Sequence, residues 1–148
     1  MTDQEIMALL NTPKHTKTSK IKWITKGKHK QCDIDVSSDD LRHSFKLYLR
    51  QNTINPDSFS CGIRLDRQGL EPVTLMRCNG PDHAHGNPIE GDTFSGKCHI
   101  HTATERYISA GRKPEHYACP TTEYTDMMGA LSCLLTQCNV KGLQFTML

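Results

Sequence analysis

The chain has 148 residues, 36% of them hydrophobic and 23% charged, with a formal net charge of +2 and a pI near 8.2. That length suits one ordinary domain, residues 1–148, able to bury a core without staples. The balance excludes a binder that works by bulk positive charge, and no apolar run approaches the roughly 18 to 20 residues of a membrane span.

MTDQEIMALL opens acidic and lacks the basic start of a secretory signal. The expected location is therefore cytoplasmic, with no membrane partner. Seven cysteines stand at 32, 61, 78, 98, 119, 133 and 138, an odd number with no C-x-x-C pair. Buried, reduced thiols fit this pattern better than a disulfide framework.

In chain order, residues 1–13 read as a short N-terminal helix, with Thr2 and Glu5 as a capping box and Asn11-Thr12-Pro13 as its end. Residues 14–36 form a lysine-rich hairpin. KHTKTSKIKWITKGKHK (14–30) holds seven lysines around Trp23, and nothing acidic lies between Glu5 and Asp33. Lys26-Gly27-Lys28 is the expected turn, between strands near 20–25 and 30–36. Residues 44–148 supply a sheet and a closing helix. HSFKLYLRQN alternates, with Phe45, Leu47 and Leu49 on one face and Lys46, Tyr48 and Arg50 on the other. FSCGIRLD does the same, with Phe59, Cys61, Ile63 and Leu65 inward and Arg64 outward. EPVTLMRC is a strand of ambiguous parity: Val73, Leu75 and Arg77 share one face, Thr74, Met76 and Cys78 the other. NGPDHAHGNP is a loop by its turn formers, residues 93–102 a strand, and 103–120 irregular apart from one helical turn. A helix from about 122 to 138 carries Met127, Leu131, Leu134 and Cys138 as an apolar stripe, with Asn139 as a left-handed cap. VKGLQFTML suggests a short final strand. The expected fold is α+β: an antiparallel sheet of about five to six strands, with the C-terminal amphipathic helix packed on one face.

CHIHTATERY (98–107) concentrates the chemistry. On a strand, His99 and His101 point the same way, about 6.5 to 7 Å apart at Cα and away from the apolar parity of Cys98 and Ile100. Histidine titrates near neutrality, so this pair suits general acid–base catalysis of phosphodiester cleavage without a metal. Arg64, Arg77 and Arg106 are candidate phosphate ligands, and Tyr107 a candidate orienting group. The lysines of the hairpin, Lys20, Lys22, Lys26 and Lys28, with Trp23 as a stacking platform, suit RNA or another single-stranded nucleic acid. Two alternatives remain. A non-catalytic binding module, a phage, mobile-element or antitoxin-like inhibitor, would use the same hairpin on a protein or nucleic-acid partner. A metal-binding protein would use His83, His85, His99 and His101, with Asp82 or Glu105, around a divalent ion such as zinc. The first two readings need no cofactor.

The string RCNGP (77–81), HAHGNP (83–88), HIHTATERY (99–107), YACPTTEY (117–124) and a helix closing on CLLTQCN resembles a family of small uncharacterised bacterial proteins, over roughly residues 57–140. The family is similar to small proteins carried near mobile elements and toxin–antitoxin-like gene pairs. The resemblance implies a compact domain with a polar site built from residues 77–107, and leaves the lysine-rich segment outside it.

Overall fold

A computed structural model describes residues 1–145. Helix α1 (Asp3–Asn11) starts as its sequence suggests: the Thr2 hydroxyl accepts the Glu5 N–H at 3.1 Å. Ile6 and Leu10 turn into the core. Next come β1 (Lys14–Thr16) and β2 (Ile24–Lys26), and Gly27 then takes a left-handed φ of 61° to turn into β3 (His29–Ser38). The basic hairpin is therefore real, but its first strand is shorter than 20–25. The segment ahead of Ile24 pairs with nothing as a strand and instead borders an edge groove.

A meander of β3, β4 (Ser44–Asn52), β5 (Phe59–Leu65) and β6 (Val73–Asn79) forms the centre. Strands β7 (Ala84–Asn87) and β8 (Asp92–Ser95) make a separate two-stranded hairpin. The remaining elements are β9 (His99–Thr102), α2 (Glu105–Ser109), β10 (Ala118–Pro120), α3 (Met127–Gln137) and β11 (Val140–Lys141). The main sheet runs β10-β9-β6-β5-β4-β3-β1-β11, with β2 also on β3, nine strands in all. Among the described residues only β1 and β11 pair in parallel. The sheet exceeds the expected five to six strands because β1, β2, β10 and β11 are two or three residues long. Such pieces are too short to show alternation and exist only by pairing with a longer neighbour.

One face of this mixed α/β fold holds the core. Ile34, Phe45, Leu47, Leu49, Cys61, Ile63 and Cys78 meet Met127, Ala130, Leu131, Leu134 and Leu135 of α3, which packs on β5 and β6. The helix begins at Met127 rather than near 122, because the Asp126 carboxylate accepts the Gly129 N–H at 2.8 Å and caps it there. Asn139 does take the left-handed conformation, with φ 56°.

A bulge decides the parity of β6. Ile63 pairs with Met76, but Arg64 pairs with Thr74, so Leu75 is left without a partner. Val73, Met76 and Cys78 therefore face the core, while Thr74, Arg77 and Asn79 face the other way. Strict alternation had grouped Val73 with Arg77. A second correction concerns residues 93–102. Gly96, at φ 67°, breaks that stretch: β8 pairs with β7 across the turn at Gly91, φ 81°, while β9 joins β6. The same hairpin replaces part of the loop expected at 79–88. In the closing segment only Val140–Lys141 is a strand; residues 146–148 lie outside the described residues.

Candidate functional site

The face of the sheet opposite α3 is polar, and strand register sets its order. Asp33, Tyr48, Gly62, Arg77 and His101 are successive partners across β3, β4, β5, β6 and β9. Partners across an antiparallel pair project to the same side, so these side chains share one face. Glycine is required at position 62. A Cβ there would lie 2.5 Å from the Tyr48 ring and 2.9 Å from the Met76 carbonyl. The missing side chain lets the Tyr48 ring lie across β5, where burial raises its pKa against the opposing pull of the Arg77 guanidinium.

His99 and His101 do project away from the apolar core, but they are not on a solvated surface. They are 2% and 4% exposed. The β7–β8 hairpin and the segment around residues 115–116 cover them. His85 of that hairpin lies 4.9 Å from His101 and 5.9 Å from His99 between ring centroids, and the latter two are 5.1 Å apart. Phe94 packs edge-on against His99 at 5.2 Å, and His116 sits 5.4 Å from His85.

Hydrogen bonds assign the tautomers of three rings. His99 Nδ1 donates to the Lys97 carbonyl at 2.9 Å, and His101 Nδ1 to the Glu115 carbonyl at 2.8 Å. Asn87 is 1% exposed. Its Oδ1 accepts the Ala118 N–H and its Nδ2 donates to the Ala118 carbonyl, at 3.0 and 2.8 Å. With its amide oriented that way, His85 Nε2 donates to Asn87 Oδ1 at 2.9 Å. Nε2 of His99, Nε2 of His101 and Nδ1 of His85 are left as lone-pair acceptors. Burial pushes His101 down to about 3, helped by Arg77. Burial likewise lowers His99, with His85, Arg77 and His83 adding to the effect. These two imidazoles are neutral at physiological pH.

Around this centre the other expected residues take distinct places. Arg77 pairs with the Glu115 carboxylate at 3.3 Å. Arg64 lies one bulge away on β5, and both guanidiniums keep a buried Nε–H without an acceptor among the described residues. Tyr107 is fully buried on α2; its hydroxyl donates to Glu90 at 2.6 Å and accepts the Ile89 N–H at 3.3 Å. Its ring stacks on His116 with centroids 5.2 Å apart. Arg106 also binds Glu90 and lies 4.6 Å over the Tyr117 ring. Tyr107 and Arg106 thus fasten the segment after β7 and orient His116, one layer behind the histidine centre. Glu105 plays no part there; its N–H donates to Asp3 at 2.8 Å.

Of the four histidines expected to share a metal, three come together and His83 does not. Its side chain is 69% exposed and pairs with Asp82 at 3.2 Å. Among the described residues, no group of three or more His, Cys, Asp or Glu is arranged to hold a metal ion. His83 instead borders an open cavity of about 230 Å³, with His29, Arg50, Ser60, Asn79 and Asp82.

At the β3 edge, Lys20, Lys22 and Lys26 line a groove of about 700 Å³ together with Lys17, over Ile24, Cys32 and Ile34; Asp33 is its one carboxylate. Lys30 lies 4.5 Å over the Trp23 ring. Lys28 is exposed but outside the lining. Lys14, first of the seven lysines, is buried at the ends of two helices and donates to the carbonyls of Leu10, Thr12 and Cys138 at 2.9, 3.0 and 2.7 Å.

His116, Glu115 and Asn87 stand at the histidine centre, and His29 and Arg50 line the cavity beside it, but no motif singles them out. Arg50 had a signal, since its parity on β4 matches Tyr48. His116 and Glu115 had none, because they reach the centre from an irregular segment.

An extended antiparallel sheet with a helix-backed core and a histidine cluster under a hairpin on its polar face is the class that fold and site define. The chain belongs to a family of unknown function, DUF6978, with residues 1–140 matched. That span includes the lysine-rich segment, so the family extends well beyond the 57–140 region where the resemblance was expected. No curated protein and no solved structure matches the chain.

Proposed function

We propose that this chain is a small nucleic-acid-acting protein, nuclease-like towards RNA, with its reacting groups in the histidine cluster. The observation that carries the reading is the convergence of His85, His99, His101 and His116 beside Arg77 on the sheet's polar face. The acid–base pairing of His99 and His101 acquires a direction. Both present an unprotonated Nε2, but His101, held down to about 3, is a weak base, so His99 is the better suited to take a proton from a ribose 2′-hydroxyl as that oxygen attacks phosphorus. The proton for the departing 5′-oxygen must then come from water or from a second imidazole of the cluster. Arg64, with the Arg77 Nε–H that Glu115 leaves without an acceptor among the described residues, would hold the phosphate, and the lysine groove would hold the flanking backbone.

A second reading is favoured by burial. With His99 and His101 almost without exposure, the cluster serves as a rigid polar core, and the chain is a non-catalytic binding module acting through its basic groove. Wild type and a His99→Ala/His101→Ala double variant, incubated with mixed RNA and single-stranded DNA with and without EDTA, separate these readings. RNA cleavage by wild type alone that survives EDTA supports the first. Cleavage lost in EDTA moves the case to a metal at the same imidazoles. No cleavage by wild type rejects catalysis and leaves the binding module.

A further inference from the structure

The open cavity of His29, Arg50, Asn79 and His83 is not part of the histidine cluster, yet strand register aligns it with that cluster. Gln31, Arg50, Ser60, Asn79 and His99 are successive partners across β3, β4, β5, β6 and β9. Gln31 borders the lysine groove, Arg50, Ser60 and Asn79 border the cavity, and His99 is the first buried imidazole. One row perpendicular to the strands thus joins the basic groove, the cavity and the cluster. Strands lie about 4.8 Å apart, so Arg50 and His99 are roughly 14 Å apart at Cα.

The cavity's charges favour an anion. Arg50 is exposed and makes no ion pair among the described residues. Asp82 is the one carboxylate in the lining and is already paired with His83. His29 comes from β3 and His83 from the loop before β7, so donors converge from separate elements on a volume of about 230 Å³. Ser58 and Ser60 add hydroxyl donors. Arginine with imidazole and hydroxyl groups is a phosphate-binding set.

We infer that this cavity is a phosphate subsite for a single-stranded nucleic acid whose backbone crosses the strands from the lysine groove towards His99. The strand state follows from the end of the row: the β7–β8 hairpin covers His99, so the paired strand of a duplex could not continue along it. The inference rests on the nucleic-acid reading above and goes beyond it by naming a subsite and a strand state.

The test is binding of a fluorescein-labelled 12-nucleotide oligothymidylate, which has no 2′-hydroxyl to react, followed by anisotropy at several salt concentrations. Wild type, Arg50→Gln, Lys20→Ala/Lys22→Ala/Lys26→Ala and the control Arg42→Gln would be compared. Arg50 and Arg42 are both exposed, so neither change threatens folding. Arg50→Gln should weaken binding at least fivefold and lower the slope of log K against log salt by about 0.7, the loss of one single-strand phosphate contact. Arg42→Gln should match wild type, and an unlabelled duplex of the same length should compete at least tenfold less well than the single strand. Wild-type affinity and slope in Arg50→Gln would overturn the subsite while the lysine variant, if weakened, leaves the nucleic-acid reading standing. Equal competition by duplex would overturn the strand state. No binding by wild type would overturn both.

Discussion

Arg77 and His101 face each other across β6 and β9, and both are held by the same residue: Arg77 by the Glu115 carboxylate at 3.3 Å, His101 by the Glu115 backbone carbonyl at 2.8 Å. The side chain of Glu115 pairs with the Arg77 cation while its main chain sets the tautomer of His101. The irregular segment before β10 is thereby locked onto the sheet at the centre of the candidate site.

Replacing Glu115 separates these roles. Glu115→Ala leaves a partly buried guanidinium unpaired and should cost about 2–4 kcal/mol, reduced from the fully buried case because Arg77 keeps some solvent. Glu115→Gln still offers an oxygen acceptor and should cost about 1 kcal/mol. In both variants the His101 Nδ1–H should stay on the residue-115 carbonyl. Urea unfolding gives the first two values and imidazole nitrogen shifts give the third; loss of the Nδ1 tautomer in Glu115→Gln would contradict the division of roles.

The lowered His101 gives stability a pH dependence of definite sign. Its folded value is about 3 against 6.5 for an unperturbed histidine. Between those values the unfolded chain takes up a proton that the folded chain refuses, so stability falls as pH drops through this window. The slope contributed is about 1.4 kcal/mol per pH unit. His99, lowered in the same direction by burial, adds to it. His101→Gln should flatten the acid limb between pH 6 and 4 by that amount. Identical slopes for wild type and variant would show that His101 is solvated.

Gly62 is needed for the lay of Tyr48. Gly62→Ala drives a methyl into the Tyr48 ring and the Met76 carbonyl. It should destabilise by about 1–3 kcal/mol through overpacking, read as a lower urea midpoint at constant m. A neutral result would mean that Tyr48 has somewhere else to go.

Lys14 binds the C-terminal ends of α1 and α3 through three carbonyls. Lys14→Met removes the ammonium and leaves those acceptors without their donor, at a cost of about 3 kcal/mol or more. Lys17→Met, on an exposed neighbour, should stay within about 0.5 kcal/mol. Thermal unfolding of the two variants checks the contrast, and similar losses would contradict it.

Much of the central fold is legible in the amino-acid order because the signals are local. The alternation of Phe45, Leu47 and Leu49, and of Phe59, Cys61 and Ile63, assigns two strands and their inner faces from a period of two. The Thr2 cap and the left-handed Asn139 follow from the chemistry of one side chain and its nearest backbone. The same alternation placed His99 and His101 opposite the core.

Tertiary structure decided the rest. Whether those histidines meet water depends on a hairpin that folds back over them, and alternation cannot see a covering layer. The bulge at Leu75 shifts the parity of β6 and so brings Arg77 to His101; one inserted residue reverses a face without changing composition. His116 and Glu115 join from a segment with no period at all. Local sequence specifies which way a side chain leaves its strand, whereas its company, exposure and charge state come from contacts between residues far apart in the chain.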